Sequence, residues 1–142
     1  MHITLVKEIT DEIYQTVERL IPQLSTSLSG PTRSELEEIA TNDYFFIARD
    51  PDENGPIVGS LTLIIFRVPT GLRAWIEDVV VDESMRGKGI GEGLTRAALE
   101  LARELGVRTV DLTSRPTREA ANRLYQRVGF KLRQTNLYRY DL

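Results

Sequence analysis

The sequence predicts an α/β fold (α+β, with one mixed sheet): an antiparallel meander followed by a βαβ unit, with helices on both faces. Three observations carry this. Residues 44–81 hold three apolar, β-rich runs separated by turn signals. Residues 90–105 place apolar side chains at helical spacing. Another β-rich run follows at 107–113, so strand, helix and strand form a crossover that should be right-handed, with its two strands parallel.

Taken in order, Ile3 to Ile9 reads as a first strand. Thr10 and Asp11 begin a helix whose apolar face is Ile13, Val17, Leu20, Ile21 and Leu24. The Ser-rich stretch 25–32 ends in Gly30-Pro31 and reads as a loop. Ser34 and Glu37 match a capping box for a short second helix that ends near Ala40. Strands follow at 44–49, 57–68 and 72–81. The first break is Pro51 to Gly55, where Asn54-Gly55 favours a tight hairpin, and the second is Pro69-Thr70-Gly71. Ile90, Leu94, Ala97, Ala98, Leu101 and Leu105 form one helical stripe that stops at Gly106. Pro116 and Thr117 introduce a last helix that runs to about Val128 and is stopped by Gly129. Closing strands are expected at 130–132 and 137–140.

A chain of 142 residues suits one domain, so residues 1–142 are read as a unit. Hydrophobic residues at 41% and charged residues at 27% give a globular balance. There is no cysteine, which excludes a thiol nucleophile and thiolate metal ligands. The single histidine, His2, makes a Ser-His pair implausible and excludes a His-rich metal site, so no metal is expected. A net charge of -3 gives no general pull toward nucleic acid. No apolar run approaches a membrane span and no signal peptide is visible, so the expectation is a cytoplasmic protein without nucleic-acid or membrane partners.

The most informative stretch is Val79-Val80-Val81-Asp82-Glu83-Ser84-Met85-Arg86-Gly87-Lys88-Gly89-Ile90-Gly91, which joins a strand to an amphipathic helix. Glycines let backbone approach a ligand closely, and the first N–H groups of a helix attract anions. Arg86 and Lys88 add positive charge. A P-loop is excluded because Gly89 follows Lys88, and no G-x-G-x-x-G can be aligned, since the third position falls on Glu92 or Leu94. Arg86, Gly89 and Gly91 do fit the acetyl-CoA pyrophosphate loop, [QR]-x-x-G-x-[GA]. Further on, Asn122 and Tyr125 followed by Gly129-Phe130 match a second pattern, N-x-x-Y with G-F.

On these two motifs the chain resembles the GCN5-related N-acetyltransferases (GNATs) over essentially its full length. The resemblance implies acetyl-CoA as cosubstrate and an N-acetyltransferase that acetylates a primary amine of a small molecule or peptide. The amine would attack directly in a ternary complex. The implied cofactor contacts are the bulged strand backbone at Val79, Val80 and Val81, the loop Arg86, Gly87, Lys88, Gly89, Ile90 and Gly91, and Asn122. Tyr125 would protonate the leaving thiolate. Glu77, in a run similar to that of the polyamine and glucosamine-phosphate acetyltransferases, would be the base, with burial raising its pKa. A salt bridge to an arginine is the other reading of Glu77, and Asp78 is read as structural or substrate-facing. The resemblance places the acceptor between the loop 24–32 and residues near Tyr44, Phe45, Trp75 and Tyr138, and admits a homodimer. Other readings are a non-catalytic acyl-CoA sensor or structural domain, transfer of another acyl group or to a hydroxyl, and an unrelated domain binding a small anion.

Overall fold

The computed structural model describes Met1–Leu142. Its elements are β1 (His2–Leu5), α1 (Asp11–Leu24), α2 (Arg33–Asn42), β2 (Tyr44–Arg49), β3 (Ile57–Val68), β4 (Gly71–Val81), α3 (Ile90–Glu104), β5 (Thr109–Asp111) and α4 (Glu119–Val128). The strands form one sheet in the order β1-β2-β3-β4-β5. Neighbours from β1 to β4 are antiparallel, and β5 runs parallel to β4. This is the expected meander and βαβ unit, because β4 and β5 are joined through α3.

The sheet separates two apolar layers. On one face Phe46, Ala48, Leu61, Leu63, Ala74 and Ile76 pack against Ile90, Leu94, Ala98 and Ala102 of α3. On the other, Phe45, Ile47 and Ile57 meet Ile13 and Val17 of α1 and Leu36 of α2. Alternation along β2 explains the split, since neighbouring side chains point to opposite faces. Tyr44 accordingly sits with the α3 layer, on the other face from Phe45.

Several boundaries depart from the sequence reading. β1 ends at Leu5, although the Val6 N–H still bonds Phe45 C=O at 2.8 Å, and Ile9 turns inward to the α1 layer. The cap of α2 is Thr32, which exchanges hydrogen bonds with Glu35 in a capping box. Ser34 has the same spacing to Glu37 but already lies within the first turn. Asn54-Gly55 does not make a two-residue hairpin; the link spans residues 50–56 and closes on Gly55 N–H to Asp52 C=O at 3.0 Å. β5 is shorter than the run 107–113, because the Val107 N–H is taken by Ala102 C=O at the end of α3.

The closing strands are absent. Phe130 is held at the end of α4 by its N–H to Tyr125 C=O (2.9 Å) and by its ring, edge-on to Tyr125 at 5.8 Å. From Lys131 onward every residue is exposed and no backbone group bonds back to the rest of the chain. No helix is long and apolar enough to cross a membrane.

Candidate active site

The site begins with an irregularity in β4. Ser60 faces Val80 and Thr62 faces Glu77, so Leu61 alone is opposed by both Asp78 and Val79. That is a β-bulge, and Asp78 adopts a left-handed φ of +50° within it. The extra residue reverses the strand's alternation. Before it the even-numbered Ala74 and Ile76 pack toward α3; after it Val79 and Val81 do. Val80 is buried and, by alternation, points the other way.

The bulge lies where β4 and β5 part. Their ladder runs Arg73 to Thr109, Ala74 to Val110 and Trp75 to Asp111, and stops there. Beyond Trp75 no strand pairs with the β5-facing side of β4, so backbone from Glu77 to Val81 borders an open slot. An extended ligand can complete such a ladder as an added strand. Ser114 lies three residues beyond the end of β5. The Ser114 hydroxyl is buried without a hydrogen-bond partner. An orphaned polar atom of this kind calls for a ligand group or a water. The sequence offered no signal for it, since it lies outside both motifs.

At the end of the slot stands the glycine loop. A short 3₁₀ turn, Glu83–Met85, leads to Gly87 (φ +78°) and Gly89 (φ +81°), the cap of α3. A side chain at Gly87 or Gly89 would meet nothing within 4 Å, so glycine is required there by the backbone alone. Gly91 differs: a Cβ there would lie 3.3 Å from Leu124 Cδ1, so it permits the close approach of α3 and α4. Gly89 supplies no side-chain cap, which leaves the first N–H groups of α3 free to bind an anion. Neither Arg86 nor Lys88 is paired with a carboxylate: Arg86 Nε donates to Val81 C=O at 3.4 Å, and Lys88 Nζ lies 3.6 Å from Met85 Sδ.

Nearby acids are neutralised by other groups. The Arg19 guanidinium bonds Asp82 and, with the Ser84 N–H, holds its carboxyl below the usual range against the opposing effect of burial. Arg127 (2.8 Å) and Arg96 (3.2 Å) do the same for Glu92. Arg19 thereby ties α1 to the loop, as does Gln23, whose Oε1 accepts from the Glu83 N–H at 2.8 Å.

α4 supplies the remaining groups. Tyr125 is buried to 8% exposure. Its hydroxyl has no protein partner, yet it is not among the sealed polar atoms, so it reaches open space. Burial pushes its pKa up, and Arg118 partly offsets this. Asn122 is engaged differently from expectation. Its Nδ2 donates to Arg115 C=O at 2.9 Å, which fixes the loop ahead of α4.

Glu77 is not buried. It stands exposed on the sheet face away from α3, beside Trp75 and opposite Thr62, with Ile64 and Phe66 further along. It makes no ion pair with any arginine; Arg19, the cation anchored at this end of the sheet, is bonded to Asp82 instead. α1 and α2 cover only part of this face, which leaves an open area walled by Trp75, Ile64 and Phe66. Tyr138 does not contribute to it within one chain, since it lies in the exposed C-terminal segment. Tyr44 does not either, since it packs on the α3 side.

A parallel ladder that ends at Trp75, a bulge just beyond it in β4 and a glycine-capped helix start follow one another along the chain. The chain belongs to the acetyltransferase (GNAT) family, whose model matches residues 10–130. It is 40% identical over 91 residues to a glucosamine 6-phosphate N-acetyltransferase of Trypanosoma brucei brucei, covering 62% of this chain and 59% of that one. It is 37% identical over 73 residues to N-alpha-acetyltransferase 30 of Schizosaccharomyces pombe, covering 51% and 48%. The chain thus spans about half the length of these curated relatives. Among solved structures, an aminoglycoside acetyltransferase from an uncultured soil metagenomic sample superposes with a TM-score of 0.83 at 23% identity, over 99% of this chain and 95% of that one.

Proposed function

We propose that this protein transfers an acetyl group from acetyl-CoA to a primary amine of a small molecule or peptide. The observation that carries the reading is the β4 backbone left unpaired beyond Trp75, which runs past the bulge to the glycine loop whose cap leaves the first N–H groups of α3 free. Unpaired strand backbone with an anion-binding helix start at one end suits a pantetheine arm with a diphosphate. Val79, Val80 and Val81 offer backbone to the arm. Arg86, Lys88 and the amides of residues 87–91 face the diphosphate.

The amine nitrogen attacks the thioester carbonyl. The tetrahedral intermediate collapses, the C–S bond breaks, and the thiolate leaves. Tyr125 gives that sulfur its proton and regains one from solvent. The proton lost by the amine passes to Glu77 directly or through a water. Glu77 is exposed and unpaired, so it can reach an acceptor lying on the open face. The chain has no cysteine, so no thiol is available for an acetyl-enzyme, and transfer is direct in a ternary complex. Positioning of the two substrates supplies most of the rate.

Calorimetric titration of acetyl-CoA into the protein tests the cofactor. Micromolar binding is expected, weakened roughly tenfold in Arg86→Ala through loss of one charge-assisted phosphate contact. Absence of binding would exclude both an acetyltransferase and an acyl-CoA sensor. Binding with no transfer across a panel of amines would favour the sensor.

A further inference from the structure

At the far end of the sheet from the glycine loop lies a second concentration of positive charge. A surface cavity of about 290 Å³ opens there, lined by Arg73 of β4, Arg108 from the link before β5 and Arg133 from the segment after α4. Thr70 and Thr109 add hydroxyls, Asp111 is the one acid, and no apolar side chain takes part. Backbone sets the first two arginines in place. Arg73 stands in the ladder between Phe66 of β3 and Thr109 of β5, and its Nη2 donates to Thr70 Oγ1 at 2.7 Å. The Arg108 N–H bonds Leu72 C=O at 3.0 Å. Its stem crosses Gly71, where a Cβ would lie only 3.2 Å from Arg108 Cδ. Arg133 is exposed and marks where the C-terminal segment meets the cavity.

Like charges gathered around one cavity repel. None of the three arginines is ion-paired with a carboxylate, Asp111 included. Acids are not scarce, since the chain has 21 Asp and Glu against 18 Lys and Arg. Arg19, Arg49, Arg96 and Arg127 all use them. The cavity therefore gathers cations whose neutralising partner the chain does not supply.

We infer that this cavity is a second anion site, which takes a phosphate group, either as the free ion or as a phosphomonoester. A carboxylate is satisfied by a single guanidinium fork, whereas a phosphate dianion has oxygens and charge enough for several. Three guanidiniums from separate parts of the chain, with two hydroxyls beside them, match the second requirement. The site is distinct from the start of α3. That helix has 15 residues and spans about 22 Å, with the glycine loop at one end and Arg108 just past the other. Arg73 also precedes Glu77 by four residues, about 13 Å along β4, so a phosphate held there leaves the bulge clear.

Amide NMR spectra of the full chain, titrated with sodium phosphate against sodium chloride at equal ionic strength, test the proposal. Phosphate should saturably shift the amides of residues 70–73, 108–109 and 133. The double variant Arg108→Gln/Arg133→Gln should weaken that binding roughly tenfold or more through loss of two charge-assisted contacts. Both side chains are exposed, so the variant should melt in chloride no lower than wild type, which alone should gain Tm from added phosphate. Shifts confined to residues 86–91, shifts that chloride reproduces, or an unchanged affinity in the double variant would each overturn the site. A parallel titration with glycerol phosphate separates the two sources: tighter binding than inorganic phosphate assigns the site to an ester, weaker binding to the free ion. None of these readouts involves acetyl-CoA, so this site and the catalytic proposal stand or fall separately.

Discussion

Tyr125 combines a buried ring with a reachable hydroxyl, and the combination has chemical content. Burial disfavours the phenolate, so the residue holds its proton through the neutral range, as an acid for a leaving thiolate must. Tyr125→Phe keeps the ring against Phe130 and removes only the donor. Its kcat should fall roughly 100-fold with little change in KM for acetyl-CoA, measured by steady-state kinetics. An unchanged kcat would remove Tyr125 from the reaction. Asp82 makes a different prediction. Its carboxyl is held below the ordinary range, chiefly by Arg19, so the pair stabilises the fold above the ordinary aspartate pKa. That contribution is lost as pH falls through the depressed value. Since Arg19 is half-exposed, the pair is worth only about 0.5–1 kcal/mol. The melting temperatures of wild type and Asp82→Asn should therefore differ at pH 7 and converge as pH drops below about 4.

At the scale of elements, the link between β4 and α3 was the part most open to reading from sequence. Arg86, Gly89 and Gly91 give local reasons for a turn and an anion site, and local reasons survive folding. The structure assigns the glycines separate duties. Gly89 serves backbone conformation and Gly91 serves helix packing. Gly89→Ala should cost about 1 kcal/mol in chemical denaturation, purely from its positive φ, because nothing surrounds the new methyl group. The β4 bulge was expected only by resemblance. Nothing in Ile76-Glu77-Asp78-Val79 announces which residue is extra, since the bulge depends on the pairing with β3. Ser114 was invisible because its burial depends on the loop path after β5, which no motif announces. Asn122 stood in the expected motif, but its bond to Arg115 depends on a loop path that helical spacing cannot supply.

At the scale of the molecule, the order of strands and the two apolar layers followed from alternation and helical periodicity, which report burial directly. The C-terminal segment shows where this ends. Its pattern predicts closing strands, yet residues 131–142 are exposed and make no backbone bond to the sheet. Glu77 illustrates the converse. An acid in an apolar run suggests burial, yet helices on that face stop short of it, and only the assembled sheet reveals the gap.

That gap divides the sheet into halves with unequal freedom to change. Leu61, Leu63 and Ala74 under α3 are fully enclosed, and a substitution there must be answered by its neighbours. Ile64, Phe66 and Arg73, on the uncovered side, have few such obligations. Over evolutionary time the chain can alter what lies against the open face while the side that braces α3 stays as it is. Laboratory diversification confined to those positions should yield a library in which nearly every member still folds.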